Sequence, residues 1–402
     1  MTIVFLTHRV PYPPNKGDKL RAFHEIKFLA RHHRICLCCL ADNTRDLRYQ
    51  DELLRYCQSV DIVYLPAYQS NLRSFGALFS NTALSLAYFY SKPLRSVVAQ
   101  KIHAQRPDLV FVFSSSMAQY VHDVRHIPKV MDFVDVDSEK WAQYARHAKF
   151  PYNLVYRSES RRLRRYENFL AKTFQHGFLV SEKETRDFRD LVFDKAPLTA
   201  ISNGVDTQMF QPSREPYDPN TLVFTGAMDY FANVETMLYF VRAILPQIRK
   251  AIPSVKLYIV GSKPAPVLKK LANTSSDIIV TGYVDQVRPY VVKSAAFVAP
   301  MQIGRGINNK IIEAMAMGVP VVTNSLGLEG IRAVPGHDLL VEDAPENFAA
   351  QVIRLMTDAE FRHTIAGNAR KTIATHYNWD TNLENLNTIL CDVVAHFHTS
   401  QA

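Results

Sequence analysis

The chain has 402 residues, 47% of them apolar and 21% charged, with five cysteines and a formal net charge of +9. That length exceeds what one hydrophobic core usually serves, and the composition is that of neither a disordered nor a disulfide-stapled chain, so two globular domains are expected. No apolar run approaches the ~18–20 residues that span a bilayer, so any membrane contact is expected to be peripheral.

The charge is unevenly placed. Residues 1–200 hold 30 Lys and Arg against 20 Asp and Glu, and the remainder holds 17 against 18. A basic first half is either an ordinary solvated surface or the mark of a polyanionic partner: nucleic acid, an anionic membrane face or a phosphorylated substrate. Cys36, Cys38 and Cys39 sit in one apolar run, with Cys57 and Cys391 apart from it and no second ligand pair at zinc spacing. Such a set reads as reduced thiols in a cytoplasmic protein. The opening MTIVFLTHRVPYP has a short apolar run and no small-residue cleavage site, and reads as a first strand rather than a leader.

In chain order, a strand at Ile3–Thr7 leads through the loop HRVPYPPNKGDK into a helix with apolar Leu20, Phe23, Ile26 and Leu29. The alternation continues with strand Ile35–Leu40, helix Asp46–Cys57, strand Asp61–Leu65, helix Leu94–Ala104 and strands Leu109–Phe113 and Lys129–Phe133. A long basic helix over Trp141–Thr173 precedes strand His176–Val180. Continuous rather than alternating apolar strands mean that both sheet faces are covered, as in parallel sheets. The turn-rich segment ISNGVDTQMFQPSREPYDPN then reads as a linker. Beyond it the pattern restarts: strand Leu222–Thr225, helix Val234–Ala251, strands Lys256–Val260, Ile278–Thr281 and Ala295–Pro300, helix Lys310–Met317 and strand Val319–Asn324. Glu346 to about Gln401 reads as two helices broken near His376–Asp380, the closing one packing back on the first domain.

The most informative stretch is GRGINNKIIEAMAMG, Gly304–Gly318. It opens a short helix just after a strand, where unpaired N–H groups and the helix dipole favour an anion. Gly304 and Gly306 allow close backbone approach, Asn308 or Asn309 can cap, and Lys310 is a cation in a first turn where cations are disfavoured unless an anion sits there. Glu313 shares the face of Asn309 and Lys310 and can accept two hydroxyl hydrogen bonds, as from a ribose; an ordinary Lys310–Glu313 surface pair is the alternative. The loop PPNKGDKLR repeats this logic more weakly, with Gly17 before a helix and Lys16, Lys19 and Arg21 nearby.

In VMDFVDVDS, Asp135 and Asp137 form a D-x-D that suits a divalent metal on a sugar diphosphate, contacts to acceptor hydroxyls, the balancing of a developing oxocarbenium charge, or plain helix capping. YNLVYRSESRRLRRY reads as a basic helix face, solvated or resting on anionic lipid, since no nucleic-acid recognition module accompanies it. The aromatic SFGALFSNTALSLAYFY (Ser74–Tyr90) reads as core or as a membrane- or acceptor-facing flap.

These residues carry a resemblance. The linker SNGVDTQMFQP, the segment VTGYVD (Val280–Asp285) and IEAMAMGVPVV (Ile312–Val322) together resemble the interdomain, nucleobase and donor-site signatures of family 4 retaining glycosyltransferases, and the likeness extends over nearly the whole chain. PYPPNKGDKLR, DFVDVDSEKW and FTGAMDY are similar to a bacterial subgroup of sugar transferases associated with PEP-CTERM/exosortase exopolysaccharide systems.

The resemblance implies an α/β fold of GT-B type: two Rossmann-like, doubly wound domains facing a central cleft. Residues 1–200 would bind the acceptor, a glycan or polyprenyl-diphosphate-linked glycan, and 201–379 the donor, with the helix from about 380 to 402 packing back on the first domain. It implies sugar transfer from a nucleotide-diphosphate sugar with retention of configuration, in exopolysaccharide or other cell-surface polysaccharide synthesis. No metal or other cofactor and no nucleic acid is expected, and the protein is expected in the cytoplasm or on the inner face of the cytoplasmic membrane, with an anionic membrane surface as a partner. The loop readings and the resemblance together give Gly17, Gly226, Tyr283, Val284, Gly304, Arg305, Gly306, Asn309, Lys310 and Glu313 as expected donor residues; the local residues give Lys16 and Arg21 as expected acceptor residues and Asp135 and Asp137 as expected catalytic carboxylates.

Departures from the family pattern are specific. Its paired glutamates with seven residues between them become Arg305 and Glu313, its Arg and Lys after the first glycine of the second domain are missing from GAMDYFAN, and the expected histidine is absent from FSSSM (Phe113–Met117). Arg305 and Lys310 are then the diphosphate ligands that compensate. A nucleotide-sugar epimerase and a catalytically silent nucleotide-sugar-binding protein are the alternatives on the same fold.

Overall fold

The structure is a computed structural model and describes residues 1–15 and 17–399. The chain divides into two compact units. The first is Met1–Ser202 together with the chain from Asp380 onward, and the second is Asn203–Trp379.

The first unit is built on a seven-stranded parallel sheet: β1 (Thr2–Thr7), β2 (Arg34–Ala41), β3 (Ser59–Tyr64), β4 (Leu109–Phe113), β5 (Lys129–Val134), β6 (His176–Leu179) and β7 (Leu198–Ala200), in the order β3-β2-β1-β4-β5-β6-β7. Every residue of β1 and β4 is buried, which accounts for their unbroken apolar character. Phe5 of β1 stacks on Phe111 of β4 with ring centroids 4.5 Å apart, filling the middle of the sheet. The closing helix Trp379–Thr399 packs in this unit, where His33 Nε2 lies 2.6 Å from Asn387 Oδ1.

The second unit repeats the plan with six parallel strands: β8 (Asp218–Thr225), β9 (Lys256–Val260), β10 (Ile278–Gly282), β11 (Ser294–Ala299), β12 (Val321–Thr323) and β13 (Leu340–Val341), ordered β10-β9-β8-β11-β12-β13. In both sheets the order reverses beside the first strand, at β1/β4 and at β8/β11. Ligands of open α/β sheets bind outside the carboxyl ends of strands at such reversals.

Three expectations are corrected. The basic helix is two, Asp137–His147 and Tyr152–Thr173, divided at Pro151, which stands just ahead of the second. The helix expected over Val234–Ala251 starts earlier and is interrupted: Phe231–Tyr239 and Leu245–Ala251 flank a π-helical turn at Phe240–Ile244, just before Pro246, whose ring has no N–H for an α-helical bond. The C-terminal stretch forms three helices, Pro345–Thr357, Ala359–His376 and Trp379–Thr399, because Asp358 accepts the Phe361 N–H and starts a new helix where the sequence reads as continuous.

Candidate functional site

The reversal point of the second unit gathers most of the expected donor residues. Gly226 directly follows β8 and Gly261 directly follows β9. A Cβ on Gly261 would lie 1.7 Å from the Gly226 carbonyl oxygen, so the two chain exits touch only because residue 261 is glycine, and a Cβ on Gly226 would lie 2.6 Å from Asn233 Nδ2, so Gly226 makes room for that side chain. Asn233, in the helix Phe231–Tyr239, donates to the Ala227 carbonyl at 2.9 Å and accepts from Lys310 Nζ at 2.6 Å. Lys310 stands in the first turn of the helix Asn309–Ala316, and its ammonium also lies 4.9 Å from the centroid of the Phe224 ring.

That helix lacks a side-chain cap. Asn308 makes none, and Asn309 Oδ1 is occupied by Asn203 Nδ2 at 3.0 Å, so the expected asparagine cap is replaced by a tie to the interdomain segment within the same unit. The anion-favouring end of the helix is thus kept open. Of the two glycines before it, Gly306 is required by its left-handed φ of 69°, whereas a Cβ on Gly304 would meet nothing nearer than 3.8 Å. Gly304 is therefore not demanded by close approach within the protein. Arg305 lies half-buried between them.

Burial sets the chemistry of the pair. It pulls the Lys310 ammonium down to about 8, with Glu313 opposing, and pushes the Glu313 carboxyl up to about 7, with Lys310 opposing. No described residue donates to the Glu313 carboxylate, so its oxygens are available to hydroxyl donors. Tyr283 is exposed directly after β10, and Val284 packs against the core of the unit.

In the first unit, Gly17 opens the helix Gly17–Leu29, and Lys16 lies outside the described residues. The expectation for Arg21 as an acceptor ligand is corrected. Its side chain is fully buried, with Nε 2.6 Å from Asp132 and 3.1 Å from Glu25, while Nη1 donates to the Ile201 carbonyl at 2.7 Å. Burial works against its charge, but Asp132 and Glu25 more than offset this and raise its pKa; burial and the Asp132 charge push Glu25 well above the carboxylate range. Arg21 holds the sheet to its helix and cannot reach a ligand.

Asp135 is half-buried just past β5, where its charge also reaches Arg21. Asp137 is the first residue of its helix, and its Oδ2 accepts from Ser115 Oγ at 2.9 Å. Burial, reinforced by the charge of Asp137, pushes the neighbouring Glu167 up to about 8.

Several features of these two sites escape the sequence reading. His8, the first residue after β1, has Nε2 3.3 Å from Asp18 Oδ2 and stacks on Phe113 at 6.0 Å. Burial alone would raise Asp18, yet the His8 hydrogen bond and the charges of His8 and Arg9 hold it well below the usual carboxylate range. At the ends of β4 and β5, Ser114 and Val134 adopt φ of 77° and 67°. For a β-branched residue that is strained backbone, fixed here by the Val134 N–H donating to Asp132 Oδ1 at 3.0 Å. Only the position of His8, immediately after a buried strand, was a readable signal.

Residues 219–358 match the family model described as Glycosyl transferases group 1. An uncharacterized glycosyltransferase of Methanocaldococcus jannaschii is 28% identical over 172 residues, which cover 40% of this chain and 42% of that protein. The chain thus aligns with well under half the length of that relative. Among solved structures, sucrose-phosphate synthase from Thermosynechococcus elongatus superposes with a TM-score of 0.76 at 15% identity, covering 98% of this chain and 100% of that one. HepE of Anabaena, in complex with UDP-glucose, gives 0.71 at 15% identity with the same coverage. The fold is that of GT-B glycosyltransferases.

Proposed function

We propose that this protein is a glycosyltransferase that takes a sugar from a nucleotide-diphosphate donor held by its second unit. The observation that carries this is the uncapped N-terminal turn of Asn309–Ala316, with the half-buried Lys310 and an unpartnered Glu313, at the strand reversal of the segment that matches group 1 glycosyl transferases. The helix end, Lys310 and Arg305 would meet the diphosphate, Glu313 the ribose hydroxyls, and Tyr283 and Val284 the base. A structural neighbour bound to UDP-glucose supports a nucleotide sugar as the donor class.

In the step we infer, an acceptor hydroxyl attacks the anomeric carbon from the face that the diphosphate leaves. The C1–O bond breaks with its electron pair going to the nucleotide diphosphate, and a leaving phosphate oxygen takes the hydroxyl proton, so configuration is retained. The positive groups around the diphosphate stabilise the charge that develops there, and transfer is proposed to need no metal. The acceptor is proposed to be a glycan or polyprenyl-diphosphate-linked glycan of cell-surface polysaccharide synthesis, consistent with the resemblance of the FTGAMDY and DFVDVDSEKW segments.

Thermal-shift and calorimetric titration against nucleoside diphosphates and their sugars tests the donor site. A rise in melting temperature with one base, lost in Glu313→Ala and Lys310→Ala, is expected; unchanged affinity in both variants would overturn the site. Anomeric analysis of the product tests retention, and an inverted product would refute it.

A further inference from the structure

The helix Ala67–Ala77 is built inside out. Tyr68, Leu72, Phe75 and, just beyond its end, Phe79 recur at helical spacing on its outer face, and the last three are 71%, 62% and 82% exposed. Its inner face holds only small or polar side chains: Ser70 and Ala77 are buried, and Arg73 Nε donates to the Ala87 carbonyl at 3.2 Å. A surface helix normally turns its apolar stripe inward, and a contiguous exposed one marks an interaction face.

The segment is held in place on the helix Tyr152–Thr173. Arg162 donates to the carbonyls of Ala77 (2.8 Å), Thr82 (3.1 Å) and Leu78 (3.2 Å). Glu159 accepts the N–H groups of Leu84 and Ser85 at 2.6 and 2.8 Å and the Ser85 hydroxyl at 2.8 Å. This supporting helix presents a second exposed stripe. Phe150 (78% exposed), just before it, and Leu154 are followed at helical spacing by Arg157, Arg161 and Arg165. The two carboxylates of the helix, Glu159 and Glu167, are both buried. Within Trp141–Arg165 the exposed charged residues are Arg146, Lys149, Arg157, Arg161 and Arg165, with the one carboxylate, Glu159, buried, so the outward surface is cationic as well as apolar.

We propose that this face of the first unit docks on an anionic lipid bilayer. Leu72, Phe75, Phe79 and Phe150 enter the boundary between headgroups and acyl chains, and Arg157, Arg161 and Arg165 lie on lipid phosphates. A cavity of about 330 Å³ lined by Arg73, Gly76 and Tyr90 opens beside the stripe. The occupant follows from the combination: a second copy of the chain would bring like charge against like, and a nucleic acid would leave the aliphatic Leu72 and Leu154 without a role. No helix among the described residues is long and apolar enough to cross a membrane, so the docking is peripheral. This proposal does not depend on the donor site.

The test is flotation of the full chain with phosphatidylcholine vesicles, with and without phosphatidylglycerol, at low and high salt. Binding is expected on the anionic vesicles and weakened by salt. Arg157→Gln/Arg161→Gln/Arg165→Gln is expected to weaken it about 100-fold, at roughly 5-fold per arginine, and Phe75→Ser/Phe79→Ser at least about 10-fold. The conservative variant Phe79→Trp reports independently of folding losses: its added fluorescence is expected to shift blue and to be quenched by brominated acyl chains. No flotation of the wild type on anionic vesicles at low salt would overturn the proposal. So would an unquenched indole, a concentration-dependent dimer abolished by Phe75→Ser/Phe79→Ser, or equal loss of single-stranded nucleic-acid binding in the arginine variant without loss of flotation.

Discussion

Replacing Lys310 by methionine separates a ligand-binding cation from a structural one, because the two effects have opposite signs. Burial lowers the lysine from its ordinary 10.5 to about 8, so near pH 7 its charge destabilises the folded apo protein by up to ~3 kcal/mol. Part of the side chain stays in contact with water, which reduces that figure to roughly 2 kcal/mol. Stranding Asn233 Oδ1, the acceptor of its 2.6 Å hydrogen bond, gives back about 1 kcal/mol. A net gain of about 1 kcal/mol then raises the melting temperature of a unit of this size by ~2–4 °C. The diphosphate loses a charge-assisted hydrogen bond worth ~1.5–3 kcal/mol, so its Kd is expected to rise ~10–150-fold. Calorimetry of UDP and the other nucleoside diphosphates, with a melting curve of each apo protein, measures both. An apo melting temperature that falls together with affinity would mean that Lys310 only holds the fold, and unchanged affinity would remove it from the site.

Affinity for the preferred nucleoside diphosphate is expected to peak between about pH 7 and 8, falling below as Glu313 takes up a proton and above as Lys310 loses one; a flat titration profile refutes both roles. The folded pKa of Glu313 lies above its ordinary 4.5, so its contribution to stability is fully present below 4.5 and is lost as pH rises to about 7. Melting curves of Glu313→Gln should lack that component, and nucleotide affinity in this variant should fall near pH 8, where the wild-type carboxylate is charged. Arg21→Met leaves Asp132 buried without its guanidinium and is expected to lose ~3–5 kcal/mol in denaturant unfolding. Altered acceptor KM at full stability would restore it to the acceptor site. Gly261→Ala must move a backbone carbonyl and is expected to lower the melting temperature of the second unit and its nucleotide affinity together.

Much of the architecture was legible because parallel strands covered on both faces are written as unbroken apolar runs, and β1, β4 and β11 are buried throughout. The two short edge strands, β7 and β13, carry too few residues to set a period. Helix breaks were missed where a single side chain decides them, as Asp358 does. In the candidate site, Lys310 and Glu313 were readable because a cation in a first helical turn and a carboxylate on the same face are locally anomalous. Asn233 was not, since its partnership with Lys310 spans 77 residues and exists only in three dimensions. Arg21 misled for the same reason: a cation after a glycine loop looks like a ligand until Asp132, 111 residues away, is seen against it.

Release of nucleoside diphosphate is the most direct measurement. The full chain is incubated with UDP-, GDP-, TDP- and ADP-sugars, alone and with a lipid-linked glycan extract, and the products are separated chromatographically. A glycosyltransferase with its donor site at Glu313 and Lys310 releases one nucleoside diphosphate slowly alone and faster with acceptor, with both rates lost in Glu313→Ala. An isomerised donor with no diphosphate released, or binding with no turnover under any of these conditions, would contradict the proposed activity.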